Sequence, residues 1–70
     1  MLGQRIKAKF TAMIGNDPVN SSVTLGCQTA ETAARACHYL AKMGEIITVI
    51  GPRGGVTKWE VVGNGQVWKR

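Results

Sequence analysis

The stretch IITVIGPRGGVTKWEV, residues 46–61, joins two runs rich in β-branched residues through a tip of glycine and proline. In the second run, side chains of opposite character alternate, which is the period-two pattern of a half-buried strand. Thr57, Trp59 and Val61 lie on one face, and Lys58 and Glu60 lie on the other. Because a short Gly and Pro tip at 51–55 separates the two runs, this stretch predicts a β-hairpin that covers a hydrophobic core.

Arg53 lies at the tip of this hairpin, where no packing partner is expected for its side chain. The neighbouring glycines lower the cost of bringing the backbone close to another surface. A guanidinium in this position suits the negative potential of a narrow DNA minor groove. Lys58, on the outward face of the second strand, could add a phosphate contact. The alternative for Arg53 is a charge that only keeps the tip soluble.

The length of 70 residues predicts a single domain, 1–70, with a small core. A deep catalytic pocket is not expected, and the sequence contains no recognisable nucleophile–base pair, pair of catalytic carboxylates or phosphate-binding loop. We therefore predict that the chain is not an enzyme and uses no cofactor. Its net charge of +5 favours a polyanionic partner.

Cys27 and Cys37 are the only cysteines, and no CxxC pair accompanies them. A metal site or a disulfide framework is therefore not expected, and both residues are interpreted as reduced, buried small hydrophobes. No apolar run is long enough to cross a membrane, and the first residues lack the apolar region of a signal peptide. These features predict a cytoplasmic protein with no membrane partner.

Three segments are predicted to be helical. Residues 2–15 carry apolar side chains at intervals of three or four, and a short helix of about two turns is expected near 20–25. The strongest helix signal is 29–43, which is rich in alanine, with Thr29 as N-cap and Gly44 after the C-terminus. Its predicted buried side chains are Ala33, Ala36, Cys37, Leu40 and Met43.

The tail GNGQVWKR, residues 63–70, contains an Asn-Gly turn signal before a short run with Trp68, which is compatible with a third small strand. The predicted order is therefore helix, short helix, helix, hairpin. This order predicts an α+β fold, the winged helix-turn-helix, with three helices followed by a β-hairpin wing.

The segment 21–59 resembles the winged helix-turn-helix DNA-binding domains of bacterial and phage regulators. TAETAARACHYLAKMGEI, residues 29–46, is similar to their recognition helix and the Leu-x-x-Leu-x-x-x-Gly-x-Ile ending that follows it. The small FaeA-like regulators of fimbrial operons also have an Arg-Gly wing tip with an aromatic residue shortly after it, as Arg53, Gly54 and Trp59 do here. The resemblance implies a sequence-specific DNA-binding transcriptional regulator.

In that arrangement the recognition helix, about 29–43, would enter the major groove, and the wing tip 51–55 would contact the adjacent minor groove or backbone. Arg35 could bind a guanine and Glu31 a cytosine amino group. The alternative is an ordinary helix surface on which Glu31 and Arg35 pair with each other, and His38 alone is more often a surface histidine. The predicted DNA contacts are Gln28, Thr29, Glu31, Thr32, Arg35, His38, Arg53 and Lys58.

Two other functions are compatible with the sequence. One is a protein-interaction adaptor that modulates a partner regulator protein, because Trp68 could be exposed and the chain has little room for a separate dimerisation domain. The other is RNA binding or nonspecific nucleic-acid binding, for which the sequence has few aromatic residues to stack on bases. The sequence does not predict the oligomeric state or the target operator.

Overall fold

The computed structural model describes residues 9–70. The elements in this part of the chain are β1 Thr11–Ile14, β2 Asp17–Pro18, α1 Ala30–Ala36, the 3₁₀ helix His38–Leu40, β3 Ile46–Ile50, β4 Val56–Val61 and β5 Val67–Lys69. The five strands are antiparallel and form one sheet in the order β2-β1-β3-β4-β5. One face of the sheet carries α1, which is followed by the 3₁₀ helix.

The predicted hairpin is present, as β3 and β4 pair antiparallel from Ile46↔Glu60 to Ile50↔Val56. Its tip is a hydrogen-bonded turn in which the Gly54 N–H donates to the Gly51 carbonyl at 2.9 Å. Pro52 occupies the second position, and φ of Arg53 is not positive, which fits a type I turn rather than type II. Gly54 then has φ of 91°. A type I turn followed by a left-handed residue is a common hairpin connection.

The core lies between the inner side chains of the sheet and α1. Alternate residues of β3 and β4 are buried there, as the period-two pattern predicts, and Trp59 is only 8% exposed. The Trp59 indole N–H donates to the Thr57 hydroxyl at 2.9 Å, so the ring has a partner for its polar atom. The helix contributes Ala33 and Ala34, whose small side chains are fully buried and let its backbone lie close to the sheet.

The tail forms the third short strand that the Asn-Gly signal predicted. Asn64 and Gly65 have φ of 64° and 72°, the left-handed conformation for which Asn-Gly is favoured in tight hairpin turns. β5 then pairs with β4 and forms an edge of the sheet. Val67 points into the core, whereas Trp68 is exposed.

The prediction of a winged helix-turn-helix fold is wrong, because the described residues form a five-stranded sheet with one short α-helix rather than three helices and a wing. In the first predicted helix, 2–15, residues Thr11–Ile14 form β1 instead and pair with β3. The rest of that segment up to residue 8 lies outside the described residues. Pairing with a distant strand overrides the local apolar spacing here.

The predicted second helix, near 20–25, is a series of turns. The Asn20 side chain accepts a hydrogen bond from the Ser22 N–H at 2.9 Å, as a helix N-cap does, but turns follow it rather than a helix. Thr24 is buried, and its hydroxyl donates to the Phe10 carbonyl at 2.7 Å. This segment is therefore tied to the start of β1 by a side chain rather than by a helical face.

The third predicted helix, 29–43, starts at its predicted N-cap, Thr29, but its α-helical part ends at Ala36. Residues 38–40 form the 3₁₀ helix instead, and the Gly44 N–H, just after the predicted helix end, donates to the Val61 carbonyl at 2.8 Å. Leu40 and Met43, which were predicted to be buried, are consequently 47% and 76% exposed.

Candidate nucleic-acid interface

The two threonines predicted to contact DNA are engaged in starting α1. The Thr29 hydroxyl accepts from the Thr32 N–H, and the Thr32 hydroxyl accepts from the Thr29 N–H, both at 3.1 Å. This reciprocal arrangement is a capping box, which satisfies backbone donors at a helix N-terminus. Gln28, just before the cap, is exposed. The cap gives both threonines a structural role whether or not they have another.

The two residues of α1 that were predicted to contact bases, Arg35 and Glu31, form an ion pair with each other. The Arg35 guanidinium lies 2.8 Å from the Glu31 carboxylate, and both side chains are about half exposed, at 51%. Such a pair at i,i+4 stabilises a helix by only about 0.3–0.5 kcal/mol. The structure therefore contains the intrahelical alternative for these two residues, in which their charges cancel.

His38 also has a structural contact. Its Nε2 lies 2.9 Å from the Val62 carbonyl oxygen. Because a carbonyl oxygen only accepts, Nε2 is the donor, and this bond links the 3₁₀ helix to the residue after β4. His38 is half-buried by this contact rather than presented to a partner.

The eight predicted contact residues do not form one surface. Lys58 is exposed, as predicted, and it alternates with the buried Trp59, so it lies on the face of the sheet opposite to α1. Arg53 is exposed at the hairpin tip, at one end of the sheet. A duplex bound along α1 would consequently be separated from Lys58 by the thickness of the sheet.

The face that carries Lys58 has no helix packed on it within the described part of the chain, and we call it the open face. It contains an open depression of about 350 Å³. The depression is lined by Gly15, Asn16, Ile46, Thr48, Lys58 and Arg70. By strand alternation, the open face comprises Thr11, Met13, Ile46, Thr48, Ile50, Val56, Lys58, Glu60, Trp68 and Arg70.

Two cations lie side by side on the open face. The Arg70 N–H donates to the Lys58 carbonyl at 2.8 Å, which extends the β4–β5 register and sets these residues opposite each other. Like charges in this position are destabilising unless an anion is close. Glu60 supplies one anion, since its carboxylate lies 3.0 Å from the Arg70 guanidinium. No carboxylate of residues 9–70 forms an ion pair with Lys58.

An exposed indole adjoins these charges. Trp68 lies opposite Glu60 on the edge strand β5 and is 65% exposed, in contrast to the buried Trp59. Trp68 and Arg70 were not among the predicted contact residues. The signal that could have identified them is the Asn-Gly turn after β4, because that turn fixes the register that brings the tail alongside Lys58.

Two further cations mark the hairpin end of the sheet. Lys9 is exposed next to Phe10, whose ring packs close to Gly51 at the base of the tip. Arg53 lies beyond that base. Positive charge therefore extends from the open face toward the tip, whereas the charges on α1 are paired.

Neither a metal-binding cluster nor a disulfide is found in the described residues. No group of three or more His, Cys, Asp or Glu side chains there could hold a metal ion, and Cys27 and Cys37 are both free. Burial raises the pKa of the Cys37 thiol, and the nearby Cys27 raises it further. No helix in the described region has the length and apolar character needed to span a membrane.

Comparisons with protein-family models, with curated proteins and with solved structures give no match to this chain.

Proposed function

We propose that this chain is a nucleic-acid-binding domain that contacts the phosphate backbone through the open face and the hairpin tip. The observation that carries the proposal is the pairing of Lys58 with Arg70 across β4 and β5, beside the exposed Trp68. Cations that release counterions from phosphates supply most of the affinity in nonspecific nucleic-acid binding. Duplex DNA as the target, and a role in transcription regulation, remain predictions from the sequence resemblance.

The distribution of acidic residues supports this choice of surface. Of the four carboxylate side chains in the sequence, Glu31 pairs with Arg35 on α1, Glu60 pairs with Arg70, and Asp17 lies in β2 without an ion pair in the described region. Glu45 accepts the Lys42 N–H at 2.7 Å in the loop before β3. None of these carboxylates forms an ion pair with Lys58, so the charge of Lys58 is available to a phosphate.

Oligonucleotide binding measured at several salt concentrations tests the proposal. Lys58→Ala and Arg70→Ala should each weaken binding, and each should make the slope of log affinity against log salt shallower by about 0.7–0.9, the value of one phosphate contact. Both side chains are exposed, so neither change should unfold the domain. Fluorescence anisotropy of a labelled oligonucleotide gives both quantities.

The matched control is Lys42→Ala, which removes an exposed cation from the loop between the 3₁₀ helix and β3. It should leave the salt slope unchanged. An equal loss in all three variants would mean that net charge rather than the open face determines binding. Absence of binding at low salt would refute the proposed function.

A protein-interaction module is the second candidate, and one observation favours it. Three large apolar side chains close together in sequence are exposed after α1: Tyr39 at 74%, Leu40 at 47% and Met43 at 76%. Apolar residues exposed together are typical of interaction sites. A chain that binds one protein partner through this segment and binds no oligonucleotide at low salt would favour this candidate.

A further inference from the structure

We propose that the ligand of the open face is a single strand of nucleic acid, with one base stacked on Trp68 and the adjoining phosphate held by Lys58 and Arg70. This inference rests on the proposed function and specifies its substrate class. DNA and RNA single strands share the chemistry that the face would recognise, namely an unpaired base and a phosphodiester.

Trp68 presents an exposed aromatic surface. An indole is a large apolar group, and the other tryptophan, Trp59, is buried in the core. Trp68 instead lies on the edge strand of the sheet, 65% exposed, where no further strand flanks it in the described region. Every base has a π face, so an exposed aromatic ring of this kind binds unpaired bases with little dependence on sequence.

The cations Lys58 and Arg70 both lie close to Trp68 on the open face. Residues two apart along a strand are separated by about 6.6 Å, and cross-strand diagonal neighbours lie about 7–8 Å apart. Arg70 has the first relation to Trp68, and Lys58 has the second. A single nucleotide can span these distances with its base on the indole and its phosphate between the two cations.

The depression beside the cations provides room for the continuing strand. Asn16 and Thr48 line it with polar side chains, and Ile46 contributes an apolar one. Amide and hydroxyl groups can bind sugar or base edges, whereas the apolar part can contact a base or ribose. The combination of polar, apolar and cationic groups fits a nucleotide chain better than a free inorganic anion.

A duplex fits this surface less well. In a stacked duplex the base faces are covered by their neighbours, so Trp68 could reach a base face only at an end or a distorted site. The short α1 has its cap threonines and Arg35 in internal hydrogen bonds, and it lies on the other side of the sheet. A single strand uses Trp68 and both cations together.

Glu60 would position the Arg70 guanidinium, and its negative charge would also repel the bound phosphate. Its carboxylate holds the Arg70 guanidinium at 3.0 Å, but it also lies beside the position of the phosphate. Glu60→Gln keeps a hydrogen-bond acceptor for Arg70 and removes the negative charge. It should tighten single-strand binding by about fivefold, the effect of one unit charge at about 4 Å in water.

The decisive experiment compares three oligonucleotides of about 12 nucleotides, a length within the range bound by single-strand modules. These are oligothymidylate, oligouridylate and a duplex of mixed sequence, each titrated against the whole chain. We expect a single strand to bind more tightly than the duplex and to quench the fluorescence of Trp68. The thymidylate and uridylate titrations tell DNA preference from RNA preference.

Substitutions at Trp68 give the specific readout. Trp68→Ala should weaken single-strand binding by about 5- to 150-fold, the range for loss of one base–aromatic stack, while Trp68→Phe retains most of the affinity. The emission of the buried Trp59 reports that both variants are folded. Tyr39→Ala removes an aromatic ring with similar exposure outside the open face and should have no effect.

Different results would refute the single-strand inference and the proposed function. If the duplex binds more tightly and Trp68→Ala changes neither affinity, the single-strand inference is overturned while the proposed function stands. If Trp68→Ala and Tyr39→Ala weaken binding equally, stacking on the open face is also refuted. If no oligonucleotide binds at low salt, both the inference and the proposed function fail.

Discussion

At the residue scale, the side chains divide into those that the fold uses and those that it leaves free. Thr29, Arg35 and His38 looked like contact residues in the sequence, yet each makes an intramolecular hydrogen bond that has a structural purpose. Arg53 and Lys58 fit the opposite description, since both are exposed and unpaired in the described region. Arg53 and Lys58 are therefore the predicted contact residues whose charges remain available to a ligand in the described region.

Cys37 gives a prediction at this scale because its thiol is buried and its pKa is raised, first by burial and then by Cys27. The folded state therefore disfavours the thiolate more than the unfolded state does. The contribution of the Cys37 thiol to the free energy of unfolding is therefore complete below the ordinary thiol pKa of about 8.5. It is lost as the pH rises through the higher pKa that this thiol has in the folded state.

The measurement is the free energy of unfolding in urea from pH 7 upward, for the wild type and for Cys37→Ala. The difference in free energy of unfolding between the wild type and Cys37→Ala should shrink as the pH rises through the range in which the thiol ionises. The alanine variant serves as the control because it keeps every other titrating group. A difference between the two proteins that is constant with pH would contradict the burial argument.

At the element scale, the hairpin could be predicted because its determinants are local. β-branched runs, period-two alternation and a Gly-Pro tip all lie within 46–61, and the strands fall there as expected. β1 could not be predicted in this way. Its apolar residues fit a helical stripe in isolation, and only pairing with β3, more than thirty residues away, makes Ala12 a buried strand residue.

The same distinction explains the outcome for α1. Its start was predicted because Thr29 caps it through neighbouring backbone groups. Its end at Ala36 could not be predicted in this way, since no glycine or proline occurs between Thr29 and Gly44, yet residues 38–40 form a 3₁₀ helix. The predicted recognition helix was therefore too long, and the surface it would have presented is shared between two short elements.

A prediction at this scale concerns the cap. Thr29→Ala should destabilise the domain by about 1 kcal/mol, because it leaves a helix N–H without its acceptor, and Thr29→Ser should restore most of the loss. Urea denaturation measures both variants. Oligonucleotide affinity should stay at the wild-type value wherever the variant is folded, since α1 is not part of the proposed contact surface. Weaker binding with unchanged stability would show that the helix contacts the ligand.

At the scale of the whole molecule, the two faces of the sheet differ in what they leave to a partner. One face packs on α1, whose exposed charges pair with each other. The open face carries two cations, one carboxylate and an exposed indole around a depression. The overall charge of +5 could be read from the sequence. Its placement depends on the β4–β5 register, which sets Arg70 opposite Lys58 and which only the Asn-Gly turn signals in the sequence.

The most direct test of the central claim is a titration of the ¹⁵N-labelled chain with a short oligonucleotide, followed through its backbone amide shifts and the Trp68 indole N–H. The open face as contact surface predicts the largest changes at Lys58, Trp68 and Arg70, with a smaller set at Arg53. The amides of α1, including Arg35, should move little. Changes centred on α1, with the Trp68 indole unaffected, would contradict the account.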